Sequence, residues 1–363
     1  MSSFRASKVL VSLFAIELGA SQFTIGVMIA MYSLLPALLA VYAGKLSDRL
    51  GVRVPMLAGS FGVAAGLLLP WLSPALPALY ASAALIGAAH MFYNVSVQNL
   101  IGSLGGEEER TRNFANYALA MAIGSFLGPL AAGFSIDYVG HATSYLYAAV
   151  LPLVPVAIMA FVRQVGHGPR LKTEDEQAVL STSLLANPLL RRTLIASAVA
   201  VTAQDLFQFY MPIYGHSVGL SASAIGLVLA MSGIAAFVVR IGLPKLVERF
   251  GPDAVFNGSL FVSAATFLLF PLFATAPALG AIALVLGLGI GCAQPVTLNL
   301  IFSRAPEGRS GEALGMRVTI NQITHIAVPV IYGTIGSMFG VAPVFVTNAL
   351  LLAGGGLLNR EKR

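Results

Sequence analysis

Gly44-Lys45-Leu46-Ser47-Asp48-Arg49-Leu50-Gly51-Val52-Arg53 is a short charged stretch between two long apolar runs, residues 23–43 and 54–72. It reads as one tight polar turn, with Gly44 and Gly51 free to take up the sharp reversal. Two hundred residues on, Pro244-Lys245-Leu246-Val247-Glu248-Arg249-Phe250-Gly251 repeats the arrangement more weakly, again between apolar runs. A polar hairpin recurring at that distance in so apolar a chain points to a duplicated bundle of membrane helices.

Composition agrees. Of 363 residues 57% are hydrophobic and only 10% charged, against about 25% charged in soluble proteins. A soluble domain with so little charge could not cover its surface. The 37 glycines and 19 prolines fit membrane helices, where small residues allow close packing and neighbours re-satisfy freed backbone groups. The single cysteine, Cys292, excludes an intramolecular disulfide. The net charge of +6 could suit nucleic acid, but its placement argues against that partner. Lys and Arg cluster at 45–53, 110–112, 163–192, 245–249, 304–309 and 360–363, whereas the intervening connections near 18–24, 71–77, 137–142, 214–222, 272–277 and 337–342 have none. This alternation is the positive-inside pattern of a multi-pass protein with cytoplasmic basic loops. It implies a plasma (bacterial inner) membrane location, with both termini cytoplasmic if the first helix spans.

A spanning helix needs about 20 apolar residues. Eleven segments qualify, near 23–43, 54–72, 76–98, 114–136, 143–162, 192–213, 223–243, 254–272, 278–302, 313–336 and 341–358. Sliding the chain by 200 residues gives a nearly gapless self-match. Gly19, Ser21, Ile25 and Gly26 fall on Gly219, Ser221, Ile225 and Gly226, and Gly87, Pro129, Gly133 and Gly140 on Gly287, Pro329, Gly333 and Gly340. The triplets Pro77-Ala78-Leu79 and Asn99-Leu100-Ile101 recur in the same register at 277–279 and 299–301. Internal repeats of this kind mark secondary transporters. They divide the chain into an N-terminal six-helix half (1–163), a cytoplasmic linker (164–190) and a C-terminal six-helix half (191–363).

The register makes the first helix short: segment 192–213 maps partly onto positions before residue 1, so Arg5 and Lys8 come to membrane depth. A charge there costs at least ~2.5–3.5 kcal/mol. Either translation starts further upstream, the favoured reading, or the helix is short and its charged end lines a watery cavity. In the linker, Thr173-Glu174-Asp175-Glu176 has a capping-box pattern, which predicts a short amphipathic helix over 174–185 or else a plain tether. Asn187-Pro188 predicts the N-cap and first position of the next helix.

The stretch at 44–53 resembles the signature of the major facilitator superfamily, Gly-x-x-x-Asp-Arg-x-Gly followed by basic residues between helices two and three. Gly44, Asp48, Arg49, Gly51 and Arg53 match it; Val52 and Val54 stand where further basic residues often occur. The resemblance implies an all-α polytopic membrane protein: a twelve-helix fold of two pseudo-symmetric six-helix halves. It further implies that Asp48 docks on the start of the eleventh helix, near Gly311, Glu312 and Arg317, as a cytoplasmic gate. By symmetry Glu248, with Arg249, would face Arg110 and Arg112. The alternative is a basic hairpin that sets topology and gates nothing. The fifth segment carries Gly124, Gly128, Pro129 and Gly133, which resemble a motif of the antiporter branches, although Ala132 and Ala115 replace expected glycines. Generic small-residue packing explains the same pattern.

Polar side chains inside spans usually face the bundle interior or a wet cavity. His90, Asn94 and Gln98 repeat every four residues along the fourth segment, a helix that lines the central cavity in this family. The seventh segment offers Gln204, Asp205 and Gln208, the tenth Gln294, and the eleventh Arg317, Asn321 and His325, again every four residues. Asp205 is the one acidic residue deep in an expected span. A carboxylate able to gain and lose a proton is what proton coupling requires, with His325 as a second candidate. A cation-binding or purely structural Asp205 is the alternative, and a pair with its repeat counterpart Arg5 is conceivable. Arg317 is expected at the cytoplasmic gate, which leaves no deep arginine for an anionic cargo.

These features converge on a monomeric secondary transporter without cofactor or metal, working by alternating access in the lipid bilayer. Its expected partners are a small, fairly apolar substrate and protons, in the direction of export; the alternative is a uniporter or symporter importing a sugar, organic acid or other metabolite. No HExxH, GxSxG or P-loop is present, so an enzyme is not expected. Asp48→Arg is expected to abolish transport while leaving expression and insertion intact; normal vesicle flux in that variant rules the gating role out.

Overall fold

The computed structural model describes residues 1–103, 107–161, 186–306 and 310–360. The side chains of 40–50, 99, 102–103, 107–112, 114–115, 118–119, 160–161, 302, 310–312 and 314–315 are outside that description. So are the linker residues 164–185, including the predicted amphipathic helix. Residues cluster into two compact units, Met1–Lys172 with Ser221–Gly226, and Thr173–Leu220 with Leu227–Arg363.

The first unit contains α1 (Ser2–Glu17), α2 (Gln22–Leu50), α3 (Arg53–Leu72), α4 (Leu76–Ser103) and α5 (Glu107–Val139), then α6 (His141–Val150) and α7 (Leu153–Phe161). α1 is its most enclosed element, buried from Ala6 through Ala15 with few exceptions, and packs on α2, α4, α5 and α6. The single span expected at 143–162 is two helices, broken at Leu151-Pro152. Proline lacks the amide proton that would continue the ladder and its ring crowds the preceding turn. The second unit contains α8 (Pro188–Ser217), most of α9 (Ala222–Phe250), α10 (Pro252–Leu269) with a 3-10 turn at Phe270–Leu272, α11 (Ala276–Arg304), α12 (Ser310–Phe339) and α13 (Val341–Asn359). α8 is its centre, packed by α11, α12 and α13. Its start is as the sequence predicts: the Asn187 side chain accepts from the Leu189 and Leu190 amides at 3.0 and 3.3 Å, with Pro188 first in the helix.

The expectation of a turn across 44–53 is corrected. α2 remains helical through Leu50, and the reversal is confined to Gly51-Val52, with Gly51 at φ +74. Lys45, Leu46, Arg49 and Leu50 are strong helix formers, so the helix leaves the apolar layer and continues until a glycine ends it. Gly44 lies within the helix and makes no turn. The second copy behaves alike: α9 runs through Pro244 to Phe250, and Gly251 turns at φ +79.

Symmetry is visible in the backbone. Among the described residues the positive-φ glycines are Gly19, Gly51 and Gly140, and Gly219, Gly251 and Gly340, three pairs 200 residues apart. Ser21 and Ser221 each bond the amide three residues on, both at 3.2 Å. Gly87 of α4 lies so close to Tyr32 of α2 that a Cβ would overlap its carbonyl, and Gly287 of α11 meets Ser232 of α9 in the same way. Helices in lipid approach this closely because dispersion between backbones, rather than exclusion of water, holds them together.

Ten helical spans among the described residues are long and apolar enough to cross a membrane. α1 and α12 are not among them. α1 has only 16 residues; α12 has 30 but carries Arg317, Asn321, Gln322, Thr324 and His325 along its middle. Gly287→Ala is expected to lower stability by about 1–3 kcal/mol, the usual cost of overpacking. Gly258→Ala, whose Cβ would meet nothing within 4 Å, should leave stability unchanged; thermal unfolding in detergent compares the two.

Candidate transport site

The second unit brings together the two residues singled out for proton chemistry. Asp205 Oδ2 and His325 Nδ1 are 2.5 Å apart, joining the middles of α8 and α12. Their side chains are 14% and 33% exposed respectively, so the pair is shielded but reachable. At a rise of ~1.5 Å per residue, Asp205 lies about 25 Å beyond Pro188 and His325 about 22 Å beyond Ser310. The two helices run side by side in one register. Arg317 Nε donates to Ser197 Oγ at 3.2 Å, and its Nη2 donates to Gln294 Oε1 of α11, also at 3.2 Å. Gln204 and Gln208 are half-buried on α8.

Arg317 is buried within the second unit. Its residue is 9% exposed and its guanidinium is directed into the second unit. It can be buried because its long stem fills apolar space while neutral acceptors hold its head. Arg240 is exposed, and its Nε donates to the Gly291 carbonyl at 3.3 Å.

Other polar assemblies here carry no spacing signal in the sequence. Asn348 of α13, fully buried, accepts through Oδ1 from Thr202 at 2.8 Å and Tyr332 at 3.0 Å. Arg304, at the end of α11, pairs with Asp253 at 2.5 Å and also donates to the Thr193 hydroxyl. The partners come from different helices, so neither a helical period nor a motif could reveal them.

In the first unit His90 is stacked on Phe4 of α1, with ring centroids 4.1 Å apart and 15° between planes. Asn94 Oδ1 accepts from Gln98 Nε2 at 3.0 Å and from the Tyr117 hydroxyl of α5. The expected stripe thus divides into an aromatic contact and a hydrogen-bonded trio, and Tyr117 is its unforeseen member. The Lys8 ammonium lies 5.3 Å from the Phe4 ring and 5.7 Å from the Tyr32 ring, a cation–π setting that lessens the penalty of a charge at depth. Glu17 Oε2 and His141 Nδ1 are 2.5 Å apart at the outer ends of α1 and α6.

Gly124 and Gly128 of α5 receive the first turn of α1: a Cβ on Gly128 would strike the Ser2 carbonyl, and one on Gly124 the Met1 side chain. Gly133 touches Ala222, and Gly226 touches the Pro129 carbonyl, within the stretch Ser221–Gly226 that belongs to this unit. Asp137, also missed by the sequence reading, accepts from the Ala222 and Ser223 amides at 3.0 and 2.7 Å and from the Ser223 hydroxyl. Its carboxylate satisfies the orphan donors that begin α9.

Of the residues proposed for the gate, the side chains of Asp48 and Arg49 lie outside the described residues, as do those of Arg110, Arg112 and Glu312. Arg53 donates to the Met159 carbonyl at 2.9 Å, tying the start of α3 to the end of α7. Glu248 is exposed, and the Arg249 guanidinium lies 5.3 Å from the Phe250 ring. Among the described residues no cluster of three His, Cys, Asp or Glu could hold a metal.

The family model described as Major Facilitator Superfamily matches residues 2–329 and, separately, 216–360. The multidrug resistance protein MdtG of Enterobacter lignolyticus is 23% identical over 346 residues, covering 90% of this chain and 79% of that protein. The multidrug efflux pump LfrA of Mycolicibacterium smegmatis is 25% identical over 365 residues, covering 85% and 72%. Among solved structures, the nucleoside transporter NupG matches with a TM-score of 0.78 at 14% identity, over 99% of this chain and 98% of that one. A POT family transporter in complex with 5-aminolevulinic acid gives 0.79 at 13%, over 98% and 92%. At those identities the solved structures establish the fold alone. Twelve helix positions in two halves, inner-membrane relatives and a family model spanning most of the length lead to one assignment: this chain belongs to the major facilitator superfamily, as a multi-pass inner-membrane transporter of small molecules.

Proposed function

We propose that the chain exports small, fairly apolar compounds in exchange for protons, as a monomer, with Asp205 and His325 as the proton-carrying pair. The observation that carries this reading is the 2.5 Å contact between the two groups. The proton between Nδ1 and Oδ2 leaves the imidazole Nε2 to accept or release another. With a proton on each imidazole nitrogen, carboxylate and imidazolium together are neutral; without the second proton the pair bears one negative charge. In a low-dielectric interior that difference is large enough to bias one conformation against another.

The relatives support the direction, since MdtG is named a multidrug resistance protein and LfrA a multidrug efflux pump. Modest polarity supports the cargo: Gln204 and Gln208 in one unit and His90, Asn94 and Gln98 in the other would line its path. In the same proposal Asp48 serves the cytoplasmic gate, with Glu248 as its weaker counterpart.

Everted membrane vesicles loaded with a lipophilic fluorescent dye test the reading. Dye uptake should rise when the lumen is made acid and collapse on adding a protonophore. Asp205→Asn and His325→Gln should each cut gradient-driven uptake on the order of 100-fold, while dye-for-dye exchange without a gradient persists. Full gradient dependence in Asp205→Asn removes the pair from the proton role.

A further inference from the structure

The seam between α8 and α12 has regular rungs. Ser197 meets Arg317, and Asp205 meets His325, both at a sequence separation of 120. By the same register Val201 lies at the level of Asn321, between those rungs. Asn321 Oδ1 is buried and has no hydrogen-bond partner among the described residues. A buried acceptor is normally satisfied by protein or by water, so this one suits a water donating between Arg317 and His325. From Arg317 to His325 the seam covers eight residues, about 12 Å at ~1.5 Å rise. Below Arg317, on the cytoplasmic side, Leu190, Leu194, Ile301, Ala313 and Met316 form a buried apolar cluster.

A polar seam leading from a protonatable pair toward the cytoplasm would be a short circuit. Protons entering at the pair could run inward without cargo. What stands in the way is Arg317, a residue nine-tenths buried. Among the described residues its hydrogen-bond partners are neutral, Ser197 Oγ and Gln294 Oε1. A fixed positive charge held by neutral acceptors repels hydronium, as arginines do in pores that exclude protons. It remains protonated under all physiological conditions.

We propose that Arg317 is a proton barrier: its guanidinium closes the cytoplasmic end of the α8–α12 seam and prevents uncoupled proton flow through the Asp205–His325 pair. The charge is the operative part, and the apolar cluster beneath is a second layer. Among the described residues the charged or titratable groups at this seam are Asp205 on α8, Arg317 and His325 on α12, and, one turn below Ser197, Arg304 of α11, which donates to Thr193 and pairs with Asp253. α11 contributes the neutral Gln294, and α13 the neutral Asn348.

The inference rests on the proton-carrying role proposed for the pair, and the experiment keeps the two separable. Purified protein in liposomes, without any substrate, is given an acid exterior and a potassium diffusion potential, and lumenal pH is followed with a trapped dye. Every variant carries Leu194→Ser, which wets the lower layer. Leu194→Ser alone should hold the wild-type leak. Adding Arg317→Gln should raise the leak about tenfold, the loss of an electrostatic barrier, whereas adding Arg317→Lys should leave it low. Adding Asp205→Asn to the leaking variant should return it to baseline. An equal leak in the Gln and Lys variants, no leak in either, or a leak from Leu194→Ser alone overturns the barrier. Thermal unfolding of each variant shows that a leak is not collapse of the fold. The vesicle assay on Asp205→Asn alone reports whether the pair carries protons at all.

Discussion

No water reaches a backbone amide in the hydrocarbon of a bilayer, and each such group left without a partner costs several kcal/mol. That constraint selects helices, and it then selects how they pack. Lipid tails are as apolar as leucine, so nothing expels one helix face onto another; close backbone approach must do the work. Gly87 against Tyr32, Gly287 against Ser232, and Gly128 against Ser2 are where it is done. With the scaffold held by small residues, the few polar side chains need not stabilise the fold and can serve the chemistry.

Duplication repeated the scaffold and only part of its polar pattern. The turn glycines, the serine caps and the α4 and α11 contacts obey the 200-residue register. Asp48 and Glu248 obey it too, as do Asn94 and Gln294, whereas the buried charged and titratable positions of the second unit do not. Asp205 has Arg5 as its counterpart, His325 has Ser125, and Arg317 has Tyr117. The polar column of the second unit answers in the first to a stacked Phe4–His90 pair and an Asn94–Gln98–Tyr117 trio.

The twelve helix positions were legible because hydrophobic length and basic-loop alternation are properties of the sequence itself. So was the α8 start, since Asn-Pro specifies a cap by local stereochemistry. Helix ends in the charged hairpin were misread because Lys, Leu and Arg favour helix as readily outside the membrane as inside; only glycine ended it. The split at Pro152 was present in the sequence and lost inside an apolar run. At the site, Asp205 and His325 stood out singly as titratable groups at depth. Their pairing, like that of Arg317 with Gln294 or of Asn348 with Tyr332, depends on how helices rotate about their axes. Single-helix periodicity constrains that rotation weakly.

The glycine corners have a mechanical consequence. Gly51 and Gly251 each join two long helices at positive φ, which a residue with a side chain adopts only with strain. Within the helices, bending is easiest where a backbone hydrogen bond is already missing. Pro36, Pro129, Pro212, Pro244, Pro295 and Pro329 are such positions, and proline is where helices bend. Pro129 and Pro329 occupy the same place in the two repeats, and Pro295 follows the Gln294 that holds Arg317. The places where each unit can bend are thus written into its covalent structure before any ligand arrives.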